Sequence, residues 1–208
     1  MHLMMQRMFC ALGFALLPVT SVSFAQQPAP VRVRGTIEAV DGAMLMVRPR
    51  DNQTFYKIKV ADDAVVRGLV RASLSEIKDN TFIGVSGLPQ PDGSQKAIGL
   101  HIFMPAQKGV VAEGFRPWDR EPGSTMTNAD VASQVTGADG QTLTVKYKDG
   151  EKKVIVAPNT PIVRMAAGSK DDIKPGAQFI IMAAQKQPDG SLVAPAINVG
   201  RNGAAPPM

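Results

Sequence analysis

The pentapeptide Gln-Pro-Asp-Gly-Ser stands at 90–94 and again, unchanged, at 187–191. It is not an isolated echo. Asp41-Gly42 followed by Leu45 and Val47 matches Asp139-Gly140 followed by Leu143 and Val145, and Ile58 with Val60-Ala61 matches Val154 with Val156-Ala157. Val65-Val66-Arg67 matches Ile162-Val163-Arg164, and Ile77-Lys78 matches Ile173-Lys174. All these pairs are displaced by about the same interval, so 33–104 and 131–201 read as two copies of one succession of elements. Any fold proposed for the chain must use that succession twice.

Within a copy the hydrophobic period is two. Val33, Gly35, Ile37 and Ala39 alternate with Arg32, Arg34, Thr36 and Glu38, the pattern of a strand buried on one face. Asp-Gly at 41–42 and 139–140 suits two-residue hairpins, because glycine accepts positive φ without a Cβ clash. Further strands are predicted at 53–60, 64–70, 80–88 and 95–104, with counterparts in the second copy. Ser73 with Glu76 three residues on reads as the capped start of a single helical turn. Five or six short strands would leave exposed edges in an open sheet, so a small closed barrel is expected. The helical turn among the strands makes each copy resemble an oligonucleotide/oligosaccharide-binding (OB) barrel. The expected organisation is therefore all-β: one OB-like barrel at 26–106, a Pro/Gly/aromatic linker at 107–128, a second barrel at 129–201 and a frayed tail at 202–208.

Residues 1–25 read as a secretory signal: Arg7, an apolar run from Phe9 to Val19, and Ser23-Phe24-Ala25 at the cleavage site. The run is too short to span a bilayer, which takes about 20 apolar residues. Cleavage would remove Cys10, the only cysteine, and leave His101 as the only histidine. An exported chain with no disulfide depends on packing alone, which points to a bacterial periplasm or secreted location. The net charge of +5 is spread thinly, with no basic run of the kind that marks a nucleic-acid footprint, and no partner of that class is expected.

Gly35-x-Ile37, Asp41-Gly42, Ile77-Lys78, Phe82-Ile83-Gly84, Pro91-Asp92-Gly93 and Ile102-Phe103 set a frame across the chain. On an exported chain it resembles a bacterial family of exported tandem OB-like barrel domains whose function is uncharacterised. The resemblance implies fold and compartment, and carries no catalytic or binding residues with it.

The chemistry-bearing residues are few. His101 alternates with Leu100 and Ile102, which match Ile197 and Val199, so it is expected on the outer face beside its counterpart Asn198, solvated rather than catalytic. Asp62-Asp63 and Asp171-Asp172 are adjacent pairs that would point to opposite faces of a strand, and no calcium-loop spacing is present. With no cysteine in the mature chain and no paired carboxylates, the expectation is that the protein is not an enzyme and holds no cofactor.

Two features stand out as binding candidates. Met44 and Met46 share the outer face of their strand where the second copy has Thr142 and Thr144. They read either as an apolar contact patch or, with His101, as soft Cu(I) ligands, similar in residue type to the Met, His and Trp set of periplasmic copper carriers. In the linker, Phe115 and Trp118 flanked by Arg116 and Arg120 read as a wedge between barrels or as a surface for stacking against a glycan or protein. The function expected is an envelope binding module, with a copper carrier as the alternative. Mass spectrometry of the protein recovered from its exporting cell is expected to show a mature chain starting near Gln26; an intact Met1 would contradict the export reading.

Overall fold

The computed structural model describes residues 28–50, 55–137 and 140–208. The expected signal at 1–25 and Asp139 of the second Asp-Gly turn lie outside the described residues. The chain is all-β: β1 (Val31–Asp41), β2 (Met44–Pro49), β3 (Tyr56–Arg71), β4 (Phe82–Pro89), β5 (Gln95–Ile102), β6 (Gly114–Pro117), β7 (Thr125–Gly137), β8 (Gly140–Tyr147), β9 (Gly150–Val156), β10 (Ile162–Ala167), β11 (Gln178–Lys186) and β12 (Leu192–Gly200). Three single 3₁₀ turns complete it, at Leu74–Glu76, Pro105–Gln107 and Lys170–Asp172. Among the described residues no helix is long and apolar enough to cross a membrane.

Five strands close into a barrel. β1, β2 and β3 form a meander, β11 pairs antiparallel with β1, and β12 pairs with β11 on one side and β3 on the other. The closing β3–β12 ladder is parallel, from Leu192 opposite Ile58 to Gly200 opposite Leu69. Its interior is the face that the period-two pattern marks as apolar: Ile37, Leu45, Val47, Ile58, Phe179, Ile181, Ala194 and Ile197 pack together. β3 is one strand of 16 residues, although the pattern had suggested a break at 61–63. The break survives as a bulge. Pairing jumps from Ala194–Val60 to Ala196–Val65, and Pro195, which has no N–H to give a ladder, sits at the jump.

The remaining strands continue the sheet from β3 in the order β10-β5-β4-β7-β8-β9, and β9 returns to pair with β5. They enclose a second core of Ile83, Val85, Leu100, Ala129, Val131, Leu143, Val145 and Val154. A third cluster forms on the other faces: Leu69, Phe82, Phe103, Met126, Val163, Met165, Ile180, Ala204 and Met208, with Trp118 partly buried against it.

These pairings correct the contiguous boundaries expected at 26–106 and 129–201. The closed barrel takes β1–β3 from before the linker and β11–β12 from after it, while β4 and β5 pair with strands that follow it. The segment 107–128 is not an irregular linker either, since it contains β6, paired to β7, and the buried start of β7 itself. The tail is corrected as well. Ala204 and Met208 are buried, the Pro207 carbonyl accepts from Ser86 Oγ at 3.0 Å, and the Met208 carbonyl accepts from Arg34 Nε at 2.8 Å. Gly99 makes room for this: a Cβ there would strike Pro207.

Local chemistry matches the sequence at the turns. Gly93 and Gly190 adopt φ of 82° and 83°, and Asp92 and Asp189 accept from the backbone N–H and hydroxyl of Ser94 and Ser191 with the same distances, 2.9 and 2.7 Å. Ser73 N–H donates to Glu76 and Ser169 N–H to Asp172, closing the two matching helical turns.

Pairing between strands on either side of 107–128 has a direct consequence. Expressed alone, 26–106 and 107–208 are each expected to lack cooperative unfolding, and to recover it when mixed or coexpressed, because each lacks the strands that close its sheet. Circular dichroism during urea titration checks this; an isolated half that unfolds cooperatively by itself would contradict it.

Candidate functional site

β5, β4 and β7 place His101, Gly84 and Asn128 in one row across the sheet. The row works because Gly84 has no side chain: a Cβ there would occupy the position of the His101 ring, which lies over the strand and meets Phe103 edge-on at 4.5 Å between centroids. A second row brings Arg67 of β3 opposite Asn198 of β12. Both rows face a chamber of about 190 Å³, lined also by Phe103, Arg116, Trp118 and the thioethers of Met126, Met165, Met182 and Met208.

His101 is therefore not solvated. The alternation was read correctly, with Leu100 and Ile102 in the second core, but the opposite face is covered by the third cluster and His101 is 2% exposed. Burial and the positive charge of Arg116 push its pKa down to about 3, so the imidazole is neutral at physiological pH. Polar groups in this chamber are unusually short of partners. His101 Nδ1, Trp118 Nε1, Asn128 Oδ1 and Asn198 Oδ1 are buried with no hydrogen-bond partner among the described residues, although buried polar atoms are normally paired. Asn128 is oriented by donation from Nδ2 to the Ala112 carbonyl at 3.0 Å, which leaves its oxygen as the unused group.

A second concavity, an outer groove, has a volume of about 600 Å³. The groove is lined by Arg32, Arg34, Arg50, Arg120 and Lys186, with Asp119 as its one carboxylate. Arg32 and Arg34 both bind Asp119 Oδ1, at 2.7 and 2.6 Å. Burial alone would raise the Asp119 pKa; the two guanidiniums hold it down to about 2. The Arg32 guanidinium also lies 3.8 Å from the Trp118 ring centroid, a close cation–π contact. Arg50 has a lowered pKa from burial and from the like charges of Arg120 and Arg34. Arg50 and Arg120 donate to the Pro206 and Pro207 carbonyls, so the tail holds two of the groove's arginines in place.

The residues singled out from sequence scatter across these features. Trp118, Arg116 and Arg120 belong to the two concavities, whereas Phe115 is 40% exposed and turned to Lys152, 4.4 Å from its ring. Met44 and Met46 pair with Lys59 and Lys57 on the neighbouring strand, Met46 is 43% exposed, and neither lines the chamber that holds His101. Among the described residues no three His, Cys, Asp or Glu side chains cluster as metal ligands. Asp172 serves structure, binding Arg201 at 2.6 and 2.7 Å, and Asp62-Asp63 lie beside the β3 bulge. Sequence reasoning missed Arg32, Arg34 and Arg50. Their signal was outward parity on two strands joined by the Asp41-Gly42 turn, which sets arginines side by side. It also missed Met126, Met165, Met182 and Met208, which no local pattern connects. Comparison with family models, curated proteins and solved structures finds no match.

The His101 environment sets a pH dependence. An imidazole held near pKa 3 when folded and near 6.5 when unfolded makes the unfolded chain take up more protons between those values. Stability is then fully present above about pH 6.5 and falls toward pH 3, by an amount on the order of 5 kcal/mol at the acid limit. Urea unfolding at a series of pH values should show this fall, and His101→Gln should flatten it. An NMR titration placing His101 near its ordinary value would contradict the assignment.

Proposed function

We propose that the chain is an exported, non-catalytic binding module of a bacterial envelope, and that the Arg-lined groove receives an anionic envelope glycan. One observation carries the reading: four arginines and a lysine line the groove against a single carboxylate. Like charges held together cost folding free energy, and such arrangements concentrate at functional sites. An acidic glycan supplies carboxylates spaced along a chain, and Arg recognises carboxylate in bidentate fashion. His101 is neutral, buried and without a carboxylate to orient it, which supports a binding role over general acid–base work.

Under the same proposal the chain is a tandem duplication whose copies have exchanged their last two strands. The support is the matched register: β12 meets β3 on both sides of a bulge, and β5 meets β9 and β10 in the corresponding two segments. Each OB-like barrel would then be built from both copies, and the groove and chamber would lie where the barrels meet. A soft-metal carrier is the second reading. What favours it is the four thioethers beside His101; Arg67 and Arg116 on the same walls oppose a cation.

Polygalacturonate, a linear carboxylated glycan, tests the groove. Retention of the mature protein on immobilised polymer is expected to weaken steeply above an ionic strength of about 0.15 M, where the Debye length is near 8 Å. Arg50→Gln with Lys186→Glu should lose most of it while keeping the unfolding midpoint. Retention that ignores salt, or that survives in this variant, would overturn the reading.

A further inference from the structure

We infer that the chamber behind Trp118 is a second binding site, and that its ligand is a small hydroxylated carboxylic acid with an apolar body. The inference stands apart from the groove and does not need it.

The chamber is built, not left over. Three polar side chains that line it, His101, Asn128 and Asn198, are 2%, 2% and 6% exposed, and each keeps an atom without a protein partner. A core of this kind normally loses free energy for each such atom. The volume of about 190 Å³ falls below the roughly 300–1,000 Å³ of sites for drug-sized ligands, so the occupant is a small molecule.

The unused groups describe that molecule. Arg67 and Arg116 reach the chamber wall, and neither makes a salt bridge or side-chain hydrogen bond among the described residues. With the Trp118 Nε1–H they offer only donors, two of them charged, which calls for a carboxylate. Asn128 Oδ1 and Asn198 Oδ1 are acceptors and call for a hydroxyl or an N–H. An ammonium group would meet the Arg67 and Arg116 guanidiniums on the same walls, so a hydroxyl is the better donor. Phe103 and the thioethers of Met126, Met165 and Met182 line the rest, and methionine adapts to an aliphatic or irregular body. The same charges that attract a carboxylate weigh against a metal cation.

Trp118 is the only tryptophan in the protein, so its fluorescence reports this site directly. The probes are 2-hydroxyisocaproate, its amide, isocaproate without the hydroxyl, and Ag(I), titrated into the full mature protein. The hydroxy acid should change Trp118 emission saturably; the amide and the deoxy acid should bind about tenfold or more weakly, the loss expected for one charge-assisted or buried hydrogen bond. Arg67→Gln with Arg116→Gln should weaken the hydroxy acid by a similar factor and bring it level with its amide. Arg50→Gln with Lys186→Glu should leave it unchanged, which separates this site from the groove. Equal binding of acid and amide, or no saturable response to either, would overturn the proposal. Saturable Ag(I) binding in place of the acid would overturn it in favour of a soft-metal site.

Discussion

A β-strand without a neighbour exposes a row of unsatisfied N–H and C=O groups, and nearly everything in this molecule follows from how that is avoided. The first three strands cannot close by themselves. They are closed by β11 and β12, which arrive from the far end of the chain, with β12 laid parallel along the whole of β3. A parallel ladder needs a long connection, and here the connection is most of the protein. The strands displaced from that position, β4 and β5, are used by the later half. Wrapping the two halves through each other brings faces together that would otherwise be solvated. The third hydrophobic cluster, the chamber and the Arg groove all lie on those faces.

Burial of the outer strand faces explains the unusual side chains. Leu100 and Ile102 point into one core, and His101 between them should be wet, yet it is packed under Phe103 with its charge suppressed. Trp118 acquires both a buried Nε1 and a guanidinium stack: it lines the chamber, while Arg32, stacked on its ring, lines the groove. The tail completes the enclosure. Its carbonyls take the donors of Arg34, Arg50 and Arg120, which would otherwise face each other unscreened.

Much of this was legible in sequence, and the limit is instructive. Period-two alternation found the interiors of the strands, residue by residue: Ile37, Leu45, Val47, Leu143 and Val145 are fully buried. Turn chemistry at Pro-Asp-Gly was equally readable, because it depends on a few adjacent residues. Which strand pairs with which was not. β5 and β12 both follow a Gln-Pro-Asp-Gly-Ser turn with a similar apolar pattern, so they are near-equivalent partners for β3 and local physics does not rank them. The site inherits that ambiguity. That His101 and Asn198 both face a common chamber is a property of the long-range strand pairing, as is the meeting of Arg67 with Asn198.

The exchange of strands is the claim on which the chamber and the groove both rest, and it can be tested at a single rung of the sheet. Lys59 stands opposite Val193 across the β3–β12 ladder, whereas a barrel made from one copy alone would set Lys59 against Lys96, which instead faces Ile155. A disulfide requires Cα atoms about 4.4–6.8 Å apart, so a cysteine pair discriminates the two partners once Cys10, the one cysteine of the sequence, is replaced by Ser. The measurement is the yield of intramolecular disulfide in the oxidised, natively folded monomer. Lys59→Cys with Val193→Cys is predicted to cross-link nearly completely and Lys59→Cys with Lys96→Cys not at all; the reverse result would contradict the exchanged fold.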